Sequence, residues 1–312
     1  MLGTLKRGLI VGLKTTWTLG KVIFPITLIV SMLQHTPILQ WVIEFVTPLM
    51  KWIGLPGDAA IPLVLGNLLS LYAGIGAILT LDLTVKEVFI LAVMLSFSHN
   101  LLVESTVAAK TGMNIALTVL VRLALAIVSA FFIHLFWQGG NEMAQYGFIS
   151  NSPEQLTSWS AIIIAGVKKA FLGIVQLTMI VIPLMIGIQL LKDLKWLDVF
   201  SRWMAPVTRA LGMKENTSMT LAAGLLFGLA YGAGVMIQAV KEDGVSKRDL
   251  TLVFLFLVAC HAVVEDTLLF VPLGIPVWSL LLIRLITAII LTMIASFTWN
   301  RIAQTRRKEA AL

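Results

Sequence analysis

The chain has 312 residues, 58% of them hydrophobic and only 12% charged, with a mean hydropathy of +0.94, values that exclude an ordinary soluble domain. Its formal charge of +7 comes from Lys and Arg placed mostly at the ends of apolar runs, which membrane topology accounts for better than nucleic acid. Several runs reach the roughly 20 residues that cross a hydrocarbon core of about 30 Å, and none shows the period-2 alternation of a β-barrel, so the sequence predicts an all-α polytopic membrane protein.

In chain order, residues 3–14 read as an amphipathic lead-in carrying Lys6 and Arg7, followed by a span over 15–34. Lys14 and Lys21, with no small-residue cleavage site after them, argue against a cleaved signal peptide. Residues 37–54 bear Trp41 and Trp52 but are interrupted by Glu44, Pro48 and Lys51, so they are expected to lie in the interface. His35 and His134, near span ends, are read as interfacial. A Gly-rich span covers 59–81. The segment 84–111 starts with Thr84 and, three residues on, Glu87, the pattern of a capping box. Helix is expected to about His99, then a turn within SHNLLVEST, where His99, Asn100, Glu104, Ser105 and Thr106 interrupt an apolar run. A final span, 113–137, carries Arg122.

After a connector (138–158) that holds Glu142 and Glu154 and no Lys or Arg, the same parts recur. They are a lead-in (159–171), a span (172–191), an interfacial segment (195–212), a Gly-rich span (217–239), a polar-centred segment (246–273) and a last span (275–299). Residues 84–137 align without a gap on 246–299 at an offset of 162: His99 on His261, Glu104 on Asp266, Ser105 on Thr267, Gly112 on Gly274, Arg122 on Arg284. Upstream the offset is 158, pairing Pro25 with Pro183, Gly66 with Gly224 and Gly74 with Gly232. Glu265 departs from the match, falling on Val103. The chain therefore reads as a first repeat, 1–137, a connector, 138–158, and a second repeat, 159–312.

The basic termini (Lys6 and Arg7; Arg301, Arg306, Arg307 and Lys308) are expected in the cytoplasm and the acidic connector outside, in a bacterial-type inner (cytoplasmic) membrane. Each repeat must then cross an odd number of times. The count works if the polar-centred segment is re-entrant or broken, and such backbone is tolerated only where protein or water covers it. Two inverted repeats with broken helices meeting near the bilayer midplane are the layout of many secondary transporters.

Ionisable groups at bilayer depth cost about 2.5–3.5 kcal/mol on insertion scales, so they are functional candidates. Glu104 and Asp266, with Glu265, are expected to bind or exchange a coupling proton or sodium ion. Arg122 and Arg284 would hold an anionic group or orient those carboxylates, and His99 and His261 would relay protons near neutral pH. Asn100, Ser105, Thr106 and Thr267 complete the substrate and ion set. Cys260, His261 and Glu265 are a sparse metal-ligand set suited to Fe(II) or Zn(II), but no CxxC or HExxH occurs. No nucleophile elbow, P-loop or zincin motif is present either, so neither an enzyme nor a cofactor is expected.

The repeated unit, a Gly-rich span followed by SHNLLVESTVAAKTG, resembles the nucleoside-recognition or gate module. That module is shared by concentrative nucleoside transporters, the membrane part of ferrous-iron permeases, and sporulation membrane proteins. The nucleoside transporters carry a Gly-Gln-Thr-Glu-Ala-Pro run in their first hairpin, of which Glu104 is the position carried across. Leu102 and Val103 stand where Gln and Thr would precede the acid. The permeases have a tip cysteine, echoed by Cys260 in the second repeat. The resemblance implies an ion-coupled transporter of a small polar or anionic solute. The alternatives are translocation of a phosphate-bearing lipid or anion through Arg122 and Arg284, a divalent metal permease, and a non-transporting membrane organiser. Membrane lipid, the solute, the coupling ion and further copies of the chain are the expected partners; nucleic acid is not.

Overall fold

The computed structural model describes residues 2–34, 36–149 and 158–309. His35 and Glu154 lie outside them. The first half contains α1 (Leu2–Leu33), α2 (Pro37–Lys51), α3 (Ala60–Leu68), α4 (Leu71–Ile78), α5 (Val85–Ser98), α6 (Leu101–Lys110) and α7 (Ile115–Phe136). The second contains α8 (Trp159–Asp193), α9 (Trp196–Ala210), α10 (Ser218–Glu242), α11 (Lys247–Ala259), α12 (Val263–Leu269) and α13 (Val277–Glu309). No strand occurs among the described residues beyond two isolated bridges. The all-α polytopic class is thereby borne out.

Among the described residues, six helical stretches are long and apolar enough to cross a membrane: Leu2–Leu33, Val85–Lys110, Ile115–Phe136, Trp159–Asp193, Lys247–Leu269 and Val277–Ile302. This set differs from the expected spans. The Gly-rich segment of the first half is not one helix but two, of 9 and 8 residues, each rising only about 12–14 Å. The polar-centred segments supply the length instead. The amphipathic lead-ins are not separate elements either, because each runs on into its span as one helix of 32 or 35 residues. At 1.5 Å per residue these reach about 50 Å, well beyond the hydrocarbon thickness, so they tilt or project from it.

Contacts divide the chain into two compact units, both drawn from both halves. Unit 1 is Met1–Leu102, Leu123–Leu190 and Glu265–Leu280; unit 2 is Val103–Arg122, Leu191–Val264 and Leu281–Leu312. Each unit thus includes an acid-bearing segment supplied by the opposite half.

In unit 1, α1 and α8 pack antiparallel along most of their length. Gly8 faces Ile186, Gly12 faces Ile182, and Gly166 faces Leu28 and Ser31. A Cβ at Gly8 would lie 2.7 Å from the Ile186 Cα, so the backbones meet where side chains are absent. These two helices are the matched copies at the 158 offset, each with a proline, Pro25 or Pro183, at the same place. At the unit's centre lies α5, buried on every side from Val88 to Ser98, as a helix apolar all round must be. Thr84 and Glu87 close the expected capping box at its start. The described part of the connector is strapped onto that end. Val85 N–H donates to Glu142 O at 2.9 Å, Ala144 N–H to Leu83 O at 2.9 Å, and the fully buried Tyr146 hydroxyl to Leu81 O at 3.0 Å.

In unit 2, α11 is the buried helix, capped by Ser246, whose side chain accepts from Asp249 N–H. Arg248 ties its start to neighbouring segments, donating to Gly212 O at 2.8 Å, Ser296 Oγ at 3.0 Å and Asn300 Oδ1 at 3.1 Å. α9 is amphipathic, with Trp196 and Trp203 exposed together with Arg202 and Arg209, the composition of a helix lying at a membrane surface.

Candidate functional site

Both polar-centred segments break at the same place. α5 ends at Ser98, His99 is extended, Asn100 adopts a left-handed φ of 49°, and α6 begins at Leu101. α11 ends at Ala259, Cys260 is extended, Ala262 has a φ of 42°, and α12 begins at Val263. Asparagine enters the left-handed region readily, whereas alanine there costs roughly 1–2 kcal/mol, so the second bend is held by its surroundings.

What holds each bend is a hydrogen bond to the Gly-rich segment. Asn100 N–H donates to Gly66 O at 3.0 Å in unit 1, and Ala262 N–H donates to Gly224 O at 3.0 Å in unit 2. In an unbroken helix those carbonyls would accept from residues 70 and 228. Both of these are non-helical, Ser70 with φ −167° and Gly228 with φ 74° and ψ 177°. The break in one segment therefore releases the carbonyl that the break in the other needs. Glycine at 66 and 224 also allows the close approach: a Cβ there would fall 2.4 Å from Leu95 Cδ2 and 2.5 Å from Leu257 Cδ1. Each bend histidine is fixed in the same way, His99 Nδ1 on Leu95 O at 2.7 Å and His261 Nδ1 on Leu257 O at 2.8 Å. Beyond the second bend, Pro272 in a short 3-10 turn and Gly274 with φ 68° end the acid-bearing arm.

The ionisable groups follow this framework. Within unit 2, Arg122 Nη2 lies 2.6 Å from Glu104 Oε2, at 0% and 3% exposure. His261 Nε2 is 3.3 Å from the same oxygen, and Arg284 donates to the His261 carbonyl at 2.6 Å. Because the His261 ring is engaged through Nδ1, its Nε2 is the nitrogen presented to the carboxylate. Within unit 1, Glu265 and Asp266 are buried. Glu265 Oε1 accepts from the Tyr72 hydroxyl at 2.7 Å, and Asp266 and His99 present ligand atoms within 4.8 Å of each other. Ser105 and Thr267, at matched positions, are buried with hydroxyls that find no hydrogen-bond partner among the described residues.

The expected site residues are thus sorted into two sets. Glu104, Ser105, Arg122, His261 and Arg284 belong to unit 2; His99, Asn100, Glu265, Asp266 and Thr267 belong to unit 1. Thr106 is exposed. Leu102 and Val103, which stand where the nucleoside transporters have Gln and Thr, are also exposed, at 58% and 53%. The metal-ligand set is divided, Cys260 and His261 in unit 2 and Glu265 in unit 1, so neither unit holds it whole. Arg122 is engaged by Glu104, and Arg284 donates to the His261 backbone carbonyl. Four participants went unrecognised in the sequence: Tyr72, Ser70, and the carbonyls of Gly66 and Gly224. Only the small-residue pattern around 66–76 hinted at them.

The chain is 64% identical over 294 residues, 94% of each protein, to the uncharacterised membrane protein YvoD of Bacillus subtilis (strain 168). No solved structure matches it. The nucleoside-recognition (Gate) family matches residues 16–136 and 174–276, two segments whose starts are spaced as the repeat is. With most of its length covered by that match, this multi-pass membrane protein belongs to the nucleoside-recognition Gate family.

Proposed function

We propose that the chain is a secondary carrier of the cytoplasmic membrane, moving a small polar or anionic solute in exchange for, or together with, a coupling proton. One observation carries this reading. Two interrupted helices cross in each half at matched positions, and buried ionisable side chains gather where they do. Discontinuous helices exposing backbone dipoles beside charged groups are the recurrent solution for binding ions and solutes at membrane depth. The antiparallel packing of α1 against its matched copy α8 supports an inverted arrangement of the repeats, and the basic termini favour a cytoplasmic location for both. Glu104, held by Arg122, is the structural carboxylate of the pathway; Glu265 and Asp266 are those that exchange charge. The exposure of Leu102 and Val103 argues against a nucleobase as cargo.

The test is uptake by proteoliposomes under an imposed pH gradient, with nucleosides, inorganic phosphate, phosphorylated lipids and Fe(II) offered in turn. Transport of one of these that collapses in Asp266→Asn and Glu104→Gln supports the carrier. Absence of flux with every cargo, in a protein that binds a membrane partner and tolerates both substitutions, would instead make it an organiser.

A further inference from the structure

The helices α2 and α9 occupy matched positions in the repeat, at the 158 offset, but they differ in charge. At 3.6 residues per turn, α9 presents three stripes spaced roughly 110–130° apart. Ser201 and Thr208 form the buried one, and Thr208 Oγ1 lies 3.5 Å from Ser218 Oγ at the start of α10. Trp196, Trp203 and Val207 form the second, all exposed. Lys195, Arg202 and Arg209, placed every two turns, form the third and are exposed as well.

The copy in the first half keeps the aromatic stripe and lacks the basic one. In α2, Trp41, Phe45, Leu49 and Trp52 are strongly exposed, with Trp41 stacked on Phe45. The residues matched to 195, 202 and 209 are Pro37, Glu44 and Lys51. The formal charge along this line is therefore +3 in α9 and zero in α2, where Glu44 offsets Lys51. Two acids temper the line in α9. Asp198 stands beside it, and Glu215 Oε1 lies 3.1 Å from Arg209 Nε, in a pair 63% and 56% exposed. An ion pair so open to solvent is weak and does not keep Arg209 from an incoming anion.

Aromatic and basic stripes on one helix fit the boundary between acyl chains and headgroups. With Trp196 and Trp203 in the acyl region, the basic line lies at the level of the phosphates. Guanidinium groups take phosphate oxygens in a bidentate fork. Attraction to the net charge of a headgroup extends only about 8 Å at physiological ionic strength, so the line acts on the lipids that border α9.

We propose that α9 is a binding surface for anionic phospholipid headgroups, with Lys195, Arg202 and Arg209 holding the phosphates and Trp196 and Trp203 setting the depth. α2, whose line bears Glu44, is an aromatic anchor without that selectivity. This surface is independent of what the chain carries.

The test uses the full chain, with Cys260→Ser as background, in vesicles whose two leaflets hold the same mixture of phosphatidylcholine and phosphatidylglycerol. A fluorophore on Ala210→Cys reports α9, and one on Trp52→Cys, the matched position, reports α2. Nitroxide-labelled lipid of either headgroup quenches the probe it borders. At Ala210→Cys the phosphatidylglycerol quencher should reach half its effect at a roughly fivefold lower fraction than the phosphatidylcholine quencher, the contribution of about one basic side chain at an anionic surface. High salt should shrink the difference. At Trp52→Cys the two quenchers should act equally, and Glu44→Arg should bring a preference there. Lys195→Gln with Arg202→Gln should abolish the preference at Ala210→Cys. Lys241→Gln with Lys247→Gln, which removes the same charge from exposed positions off the line, should keep it. Equal quenching by both lipids at Ala210→Cys overturns the proposal, as does a preference already present at Trp52→Cys. An equal loss from the two double variants also overturns it, because net charge alone would then account for the effect.

Discussion

Replacing Arg122 with methionine isolates the energetics of the unit 2 site. The guanidinium is fully buried and 2.6 Å from Glu104, itself 3% exposed, so solvent screens neither charge. Methionine fills much of the same volume but leaves the carboxylate without its nearest cation. Removing one partner of such a pair costs about 3–5 kcal/mol, much of it the penalty of the stranded charge. If that is the origin, Glu104→Gln added to Arg122→Met should restore most of the loss, because neither side chain then carries charge. The coupling between the two substitutions should reach about 2–3 kcal/mol in a double-variant cycle. Unfolding of the purified protein in detergent, followed by tryptophan fluorescence as denaturant is added, measures all four corners. A single-variant loss below about 1 kcal/mol, or a double variant as unstable as the sum of its parts, would refute the reasoning.

Other expectations test the framework. With Cys260→Ser as background, Gly12→Cys and Ile182→Cys should oxidise to a disulfide, because a Cβ at Gly12 lies 3.5 Å from the Ile182 Cβ and bridged pairs sit at about 3.5–4.5 Å. Cross-linking of Gly12→Cys to Ile174→Cys instead, seen by gel mobility, would refute the register in which Gly12 meets Ile182 and Gly20 meets Ile174. Asp58 has its carboxyl pushed above 3.8, chiefly by burial and against backbone N–H bonds that lower it. Between 3.8 and the raised value the folded state holds more protons than the unfolded one, so stability falls as pH rises through that window and the cost is complete above it. Asp58→Asn, which installs the residue found at the matched Asn216, should therefore be more stable than wild type at pH 7, with the gain shrinking as pH falls towards 4 in melting curves. Ala262→Gly relieves a left-handed alanine and should stabilise by about 0.5–1 kcal/mol net of the added chain entropy; a destabilised variant would mean that the Cβ packs against Gly228 productively.

The amino-acid sequence alone determined the membrane class, because hydropathy over 20 residues is a local property, and it located both bends, because a cap (Thr84, Ser246), a polar cluster and a proline or glycine exit are read within one segment. It also matched His99 with His261 and Arg122 with Arg284. It could not tell that the Gly-rich segment is broken at Ser70 and Gly228, since glycine in an apolar run signals close packing and interruption equally well. Only the tertiary structure decided that. The freed carbonyls of Gly66 and Gly224 are satisfied by amides more than thirty residues away, and without those partners a broken helix in lipid would be too costly to form. The same holds for Tyr72 and Glu265, whose bond joins opposite halves of the chain. Periodicity records which side chains face a core, but the pairing of individual polar atoms is set by where the folded segments bring them.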